Sequence, residues 1–181
     1  MLLQETHHNT KDLHRLKAKG WKQIFQANGQ EKKAGVAILI SDKIDFQRRA
    51  IKRDPVGHFI ILKGRIHQED INIINIYAPN IGAPKYIKKI LEDFKNDIDS
   101  NTLIGGDFNT SLSKMDRSSK QNINKDIEAL NNAIGEMDLT DIYRTFHPRE
   151  AKYTFFSNAP GTFSKIDHMI VQSKPQQVQE N

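Results

Sequence analysis

The amino-acid sequence predicts an α/β domain in which sheets form the interior and helices lie on the outside. Short apolar runs bounded by turn residues recur along the chain, and such runs are typical of buried strands. Longer stretches carry apolar residues at helical spacing, which indicates amphipathic helices. Because strands and helices are interleaved without repeats or an interdomain linker, the pattern favours a single α/β sandwich.

The first predicted strands come from apolar runs on either side of a turn. Residues 1–4 are typical of the end of a buried strand, and the continuous apolar run at residues 34–41 predicts another. Asp-Pro-Val-Gly at residues 54–57 has proline and glycine where a type I turn places them. Residues 58–64 and 71–78 then predict a hairpin.

The later strands are shorter and lie next to glycine or polar loops. Residues 102–106 predict a strand that runs into a glycine turn. Residues 153–156 and 165–171 predict a final strand pair around a loop at residues 158–162.

Three helices are expected. Residues 10–19 predict a short helix between a capping Thr10 and Gly20. A second helix begins near Pro84, since a proline lacks only an N–H that the first helical turn leaves unpaired. Its inward residues are Ile87, Ile90, Leu91, Phe94 and Ile98. The third helix is expected at residues 124–137, with Ile127, Leu130, Ile134 and Met137 facing inward.

The composition limits the classes of protein that fit. Lysine and arginine number 27 against 22 aspartates and glutamates, a net charge of +5. Such an excess favours a polyanionic partner such as nucleic acid, although an ordinary basic surface explains it equally well. The absence of cysteine excludes disulfides and thiolate metal sites. No apolar run reaches the ~20 residues that a membrane helix needs, so we expect an intracellular protein without membrane association.

Two carboxylates directly follow predicted strands. Glu5 follows residues 1–4, and Asp107 follows a strand that ends in two glycines. Ligands of α/β proteins gather at the carboxyl ends of strands, so we expect the two carboxylates to lie together. One or two carboxylates are enough for Mg²⁺, which keeps several waters. A turn residue or a helix N-cap is the alternative for each. Asn109 is expected on the same side of an extended segment as Asp107.

Four motifs occur in an order that is far more specific than each motif alone. They are Gln-Glu-Thr at residues 4–6, Asn-Ile-Tyr-Ala-Pro-Asn at 75–80, Gly-Asp-Phe-Asn at 106–109 and Ser-Lys-Ile-Asp-His at 164–168. This series resembles the endonuclease/exonuclease/phosphatase superfamily, which includes DNase I, exonuclease III and apurinic/apyrimidinic endonucleases. The segments at residues 16–21, 26–29, 33–39 and 141–145 are similar to the endonuclease domain of mammalian LINE-type retrotransposons.

The resemblance implies a DNase I-like four-layer α/β sandwich of two mainly antiparallel sheets with outer helices. It implies that Glu5 binds the metal, Mg²⁺ with Mn²⁺ as a substitute. It further implies that Tyr77 contacts the scissile phosphate, that Asp107 orients or deprotonates the attacking water, and that Asn109 binds a phosphate oxygen. Asp167 matches the aspartate that orients a catalytic histidine.

The resemblance also implies contacts with DNA and a cellular setting. Thr154 matches a residue near the DNA groove. Arg117 and Lys120 match a basic stretch beside the site that either grips phosphate or is a solvated loop. The implied protein is a monomer that nicks chromosomal DNA, and it is nuclear if functional.

The sequence departs from the family at both ends of the domain. The family's opening strand, which carries an asparagine, and its closing Ser-Asp-His segment have no counterpart among the 181 residues. We therefore expect a partial domain at residues 1–171, followed by a disordered polar tail at residues 172–181. His168 cannot replace the missing histidine if it lies on a strand, because it would face away from Asp167.

Three functions remain open at this point. The first is a Mg²⁺-dependent DNA endonuclease whose nicking is severely impaired by the missing segments. The second is a catalytically inactive retrotransposon remnant with weak nucleic-acid binding. The third, a phosphatase of lipids or inositol phosphates, is disfavoured by the basic charge. Missing strands would also leave apolar rows such as Ile73, Ile76 and Leu103 uncovered.

Overall fold

The fold is seen in a computed structural model, which describes residues 1–8, 16–29, 33–119, 123–158 and 161–172. The strands in these ranges are β1 (Leu2–Leu3), β2 (Trp21–Ala27), β3 (Val36–Ser41), β4 (Phe46–Arg53), β5 (Phe59–Ile66), β6 (Glu69–Tyr77), β7 (Thr102–Asp107), β8 (Leu139–Asp141), β9 (Phe155–Ser157), β10 (Thr162–Ser164) and β11 (Asp167–Gln172). The α-helices are α1 (Ala83–Asp93), α2 (Lys125–Glu136) and α3 (Ile142–Phe146).

The strands form a large central sheet, a smaller sheet packed on it and a separate hairpin. The central sheet has the order β4-β5-β6-β7-β11-β8, the smaller sheet has the order β1-β3-β2, and β9 pairs with β10. All strand pairs are antiparallel except β6 with β7, which run parallel. The carboxyl ends of β6 and β7 therefore meet at one edge of the central sheet, where β11 begins.

Two apolar cores hold these layers together. One core lies between the central sheet and the helices, and includes Ile74, Ile76, Ile87, Leu91, Ile104 and Leu130. The other lies between the two sheets, and includes Phe25, Val36, Ile38, Ile60, Leu62 and Ile73. The fold-class prediction is confirmed: the described residues supply three layers of an α/β sandwich, namely helices, central sheet and smaller sheet.

Most of the local predictions agree with the structure because each rests on a strong periodic pattern. Helix α1 has proline in its first turn and buries Ile87, Ile90 and Leu91. Helix α2 begins after Asn124, whose side chain accepts a hydrogen bond from the Ile127 N–H. In the described ranges, no helix is long and apolar enough to span a membrane.

The final strand pair was wrongly assigned from the sequence. The run at residues 165–171 was expected to pair with residues 153–156, but β10 at Thr162–Ser164 takes that position beside β9. Strand β11 instead enters the central sheet between β7 and β8. The reason is burial, since Ile170 belongs to the core against the helices, where only a central strand can place it.

Three further predictions differ from the structure or lie partly outside its described residues. The helix at residues 10–19 lies largely outside the described residues, and its described part, residues 16–19, is not helical. Ile73 and Ile76 are buried rather than uncovered, because one faces the smaller sheet and the other faces α1. Gln172 is the last residue of β11, and residues 173–181 lie outside the described part.

Candidate active site

Three of the residues singled out in the sequence lie side by side across the central sheet. In the register of the strands, Tyr77 of β6 is the partner of Asp107 of β7, and Asp107 is the partner of Asp167 of β11. Residues directly opposite each other on neighbouring strands point to the same face of a sheet. The three side chains therefore form a row, which lies on the face turned toward the smaller sheet.

Glu5 reaches this row from the smaller sheet. The Tyr77 hydroxyl donates a 2.8 Å hydrogen bond to Glu5 Oε1, joining residues that are 72 positions apart. The meeting of the two sheets thus brings together the predicted metal carboxylate and the predicted phosphate-contacting phenol. The sequence placed both residues at strand ends, but only the packing of one sheet on the other makes them neighbours.

Glu5 owes its direction to a β-bulge. Leu3 is paired with Ala37, and the next backbone bond runs from the Thr6 N–H to the Gly35 carbonyl at 3.1 Å. Regular pairing therefore ends at Leu3, and Gln4 and Glu5 form an irregular bulge between the Leu3–Ala37 pair and the Thr6–Gly35 bond. Glu5 has a φ of 51°, in the left-handed region that non-glycine residues rarely adopt.

The row of acidic groups shifts the protonation of its members. Burial raises the pKa of Asp107, the N–H of Asn109 opposes that shift, and the charges of Asp167 and Glu5 add to it, so that the pKa is about 6. Burial, the hydrogen bond to Glu5 and the nearby carboxylate charges raise the pKa of Tyr77 to about 12. Tyr77 is therefore a proton donor at neutral pH, and Asp107 is an ionised carboxylate that takes up a proton readily.

A divalent cation would reduce the charge repulsion between these carboxylates. Glu5, Asp107 and Asp167 are carboxylates, the type of hard oxygen donor that Mg²⁺ prefers. In the ranges that the structure describes, no three histidine, aspartate or glutamate side chains are grouped closely enough to hold a metal by themselves. This donor set fits an ion such as Mg²⁺, which needs one or two carboxylates and completes its shell with water and substrate oxygens.

The raised pKa of Asp107 predicts how stability depends on pH in EDTA. The folded carboxyl, with a pKa near 6, binds its proton more tightly than the unfolded one, whose ordinary pKa is 3.8. Its contribution to stability is therefore present at low pH and is lost as the pH rises from about 4 to about 6. Because the side chain is half-exposed, the loss is about 1 kcal/mol after allowance for solvent screening.

Thermal unfolding of the wild type and an Asp107→Asn variant measures this effect. The variant is expected to be the more stable protein at about pH 8, and its advantage should shrink toward about pH 4. The variant serves as the control for all other titrating groups, since these are shared. An advantage that stays constant across this range would contradict the prediction.

Asn109 is not in the extended segment that the sequence suggested. It has a φ of 46°, its backbone N–H bonds Asp107 Oδ1 at 2.8 Å, and its side-chain Nδ2 donates to the Ala78 carbonyl at 2.7 Å. The turn arises because the chain reverses directly after β7. The side chain therefore ties the loop after β7 to the loop after β6. An amide nitrogen carries two hydrogens, and this bond uses one of them.

His168 faces away from Asp167, as the alternation of a strand requires. It is buried on the helix side, with Nδ1 at 3.0 Å from Asp141 Oδ2 and Nε2 at 2.9 Å from the Thr110 carbonyl. Lys165 Nζ lies 3.0 Å from both His168 Nδ1 and Asp141 Oδ2. Hydrogen bonds to His168 and Lys165 outweigh burial and hold the pKa of Asp141 well below its usual range.

Of the predicted DNA-contacting residues, Thr154 is the one that lies next to Asp167. The Thr154 hydroxyl accepts hydrogen bonds from the N–H groups of Ile166 and Asp167 at 3.1 and 3.4 Å, so it fixes the start of β11. Arg117 forms an isolated bridge with Ser164 of β10. Lys120 lies outside the described residues. A cavity of about 440 Å³ is lined by Gly106, Thr154 and Asp167 among others.

One residue of the site was missed in the sequence. Asn75 belongs to one of the four motifs, but no role was predicted for it. It is fully buried between the sheets. A signal was present, because Asn75 is a polar residue that alternates with Ile71, Ile73 and Tyr77 on one face of the strand.

Comparison with known proteins identifies relatives of the whole chain. The sequence matches the Endonuclease/Exonuclease/phosphatase family over residues 1–178. The Transposon TX1 uncharacterized 149 kDa protein of Xenopus laevis is 29% identical over 179 residues, which are 94% of this chain and 14% of that protein. The chain therefore spans a small part of this curated relative.

Solved structures share the fold at low sequence identity. The endonuclease domain of TRAS1, a telomere-specific non-LTR retrotransposon, superposes with a TM-score of 0.60 at 16% identity, covering 83% of this chain and 67% of that one. An AP endonuclease from Archaeoglobus fulgidus gives a TM-score of 0.65 at 20% identity, covering 93% of this chain and 74% of that one. Both likenesses concern the arrangement of the sheets and helices described above.

Proposed function

Because this chain belongs to the Endonuclease/Exonuclease/phosphatase family, we propose that it is a retrotransposon-type DNA endonuclease that hydrolyses phosphodiester bonds with Mg²⁺. The observation that carries the proposal is the meeting of Glu5 with the row of Tyr77, Asp107 and Asp167. Two sheets contribute to one acidic, hydrogen-bonded edge. The relatives named for a transposon and for AP endonuclease activity support a DNA substrate.

Each residue of the site has a task that follows from its protonation. Tyr77, whose pKa is about 12, keeps its proton and donates it to Glu5, and with substrate present the same hydroxyl can donate it to a phosphate oxygen instead. Asp107, whose pKa is about 6, is ionised at neutral pH and accepts a proton from the water that attacks phosphorus. As the new P–O bond forms, the bond from phosphorus to the sugar 3′-oxygen breaks, and that oxygen takes a proton from solvent. The second amide hydrogen of Asn109 remains for a phosphate oxygen.

Glu5 and the neighbouring carboxylates would hold the metal. Bound there, Mg²⁺ supplies positive charge to the phosphate as negative charge builds up on its oxygens. Mn²⁺ has similar ligand preferences and should replace it. Tyr77 keeps Glu5 directed inward, and Thr154 fixes the backbone from which Asp167 projects.

Catalysis by these 181 residues should be slow. The family's Ser-Asp-His segment has no counterpart in the sequence, and His168 is turned to the opposite face of β11. Loss of one preorganised donor to a transition state costs roughly 10²–10³ in rate. Losses within one catalytic unit do not multiply, so we expect a reduction of this order against a relative that carries the segment.

DNA is favoured over other phosphodiesters by charge. Lysine and arginine exceed aspartate and glutamate by 27 − 22 = 5, and cationic side chains bind nucleic acid by releasing condensed counterions. A monomer suffices for the proposed reaction, since every residue of the site comes from one chain. Chromosomal DNA as the target would place the active protein in the nucleus.

The test is nicking of supercoiled plasmid by the purified 181-residue chain in Mg²⁺ and in EDTA. Nicked circles should accumulate slowly in Mg²⁺ and not in EDTA. Equal nicking in both would overturn the metal-dependent reaction. No nicking at any protein concentration would favour a second candidate, a catalytically inactive protein that binds nucleic acid, which the orientation of His168 also favours.

Binding of the same plasmid in EDTA completes this experiment. Affinity should fall steeply between low and moderate salt, because contacts with phosphate depend on counterion release. Binding that persists without nicking supports the second candidate. Absence of binding at low salt, or binding that salt does not weaken, contradicts a DNA partner under both candidates.

A further inference from the structure

Asn75 connects the two sheets directly beneath the candidate site. It lies in the middle of β6, on the face turned toward the smaller sheet, and it is fully buried. A buried amide is costly unless its donors and acceptor are hydrogen-bonded. The hydrogen bonds that Asn75 makes therefore decide whether its burial stabilises the protein.

Every polar atom of the Asn75 side chain has a partner in the smaller sheet. Its Nδ2 donates to the Leu3 carbonyl at 2.8 Å and to the Ala37 carbonyl at 2.9 Å, which uses both amide hydrogens. Its Oδ1 accepts a 2.6 Å hydrogen bond from Gln4 Nε2. The Asn75 amide is thus bonded to one residue of β1, to the residue that follows β1, and to one residue of β3.

These partners surround the bulge that directs Glu5. Leu3 and Ala37 form the last regular pair of β1 and β3 before the bulge, and Gln4 is its first residue. The Thr6 N–H to Gly35 bond closes the bulge on its other side. Asn75 therefore fixes the side of the bulge from which Glu5 projects.

Strand β6 holds Glu5 at two points. Asn75 holds the backbone before Glu5, and Tyr77, two residues further along the same face, donates a hydrogen bond to the Glu5 carboxylate. Glu5 has a φ of 51°, a conformation that persists only where surrounding contacts enforce it. Without the hydrogen bonds of Asn75, the bulge can relax, and the Glu5 carboxylate can move away from the row.

We propose that Asn75 is a positioning residue, which holds the bulge after β1 so that the Glu5 carboxylate points into the site. The inference rests on the proposed role of Glu5 in binding the metal. It assigns to the buried amide a task that packing alone does not require. It also explains why a polar side chain lies next to Ile73 on the inward face of β6.

The test compares Asn75→Leu with Asn72→Leu. Leucine has a branched shape similar to that of either amide but makes no hydrogen bonds, and Asn72 lies on the opposite face of β6, where it bonds the Asp97 carbonyl and Thr102 Oγ1. Two quantities are measured: hydrogen exchange of the Thr6 amide relative to the Leu39 amide in β3, and the affinity for Mn²⁺ alone, followed by its paramagnetic signal. Neither measurement requires catalysis.

Asn75→Leu is expected to speed exchange at Thr6 more than at Leu39. It should also weaken Mn²⁺ binding by roughly 10-fold or more, the range seen when residues that orient metal ligands are removed. Asn72→Leu should change neither quantity. In a Glu5→Gln background, adding Asn75→Leu should weaken Mn²⁺ binding no further, because the residue acts through Glu5.

The outcomes separate the two ideas. Wild-type protein that fails to bind Mn²⁺ would overturn the proposed metal site, while faster Thr6 exchange in Asn75→Leu would still support the positioning of the bulge. Unchanged Thr6 exchange would overturn the role of Asn75 whatever the metal does. If Asn75→Leu does not fold, Asn75→Thr is subjected to the same two measurements, with the same results supporting or overturning the inference.

Discussion

Replacement of Asp107 by alanine is expected to reduce Mg²⁺-dependent nicking by roughly 10²–10⁴-fold, the contribution of a general base. Asp107 is the middle member of the row, paired across the sheet with Tyr77 and with Asp167. Its pKa of about 6 makes it an ionised base at neutral pH, close to the optimum for accepting a proton from water. The measurement is the initial rate of plasmid nicking at saturating Mg²⁺.

The controls for this prediction separate lost chemistry from lost structure. Asp107→Asn keeps the shape of the side chain without a charge, and it should lose activity as fully as alanine. It should also unfold at no lower temperature than the wild type at neutral pH, because burial already disfavours the ionised carboxylate. Asp45→Ala, an exposed aspartate before β4, should leave the rate unchanged. Full nicking by Asp107→Ala would assign the base to another residue.

Replacement of Gly106 by alanine should destabilise the protein by about 3 kcal/mol or more. Gly106 has a φ of 138°, and a Cβ built there would lie 2.0 Å from the Ile76 carbonyl oxygen. That oxygen belongs to a neighbouring strand in the middle of the central sheet, so the backbone cannot move away without breaking the β6–β7 pairing. The conformation and the contact both exclude a side chain.

Thermal unfolding measures this loss, which corresponds to a decrease in Tm of roughly 10 °C for a domain of this size. Gly135→Ala is the matched control, since Gly135 lies in α2 and a Cβ there would meet nothing within 4 Å. Alanine at that helical position should raise stability by about 0.5–1 kcal/mol. Equal Tm values for Gly106→Ala and the wild type would mean that the close β6–β7 contact is not maintained in solution.

The elements that the sequence predicted well are those whose pattern is local. Helix α2 and the inward residues of α1 follow from periodicity and from capping, which involve residues within a few positions of one another. The run that became β3 and the β5–β6 hairpin follow for the same reason. The order of the four motifs was also sufficient to identify the family that comparison confirmed.

Local patterns did not predict which strands pair with each other. The run at residues 165–171 was rightly placed in a strand, but its neighbours proved to be β7 and β8 rather than β9. The neighbouring β9–β10 pair contains few residues and closes over a short loop. A single apolar run fits several partners equally well, and the choice depends on which position buries Ile170 within the whole sheet.

The sequence by itself determined which residues carry the chemistry, because residue type and position after a strand are properties of short segments. Only the tertiary structure decided that Glu5 meets the Tyr77 hydroxyl, that Asn109 turns back to the Ala78 carbonyl, and that Asn75 lies behind the bulge. It also decided the raised pKa of Asp107, which depends on burial and on charges from two other segments of the chain. These features arise where two sheets pack together, and no pattern within one segment specifies the distance between side chains on different sheets.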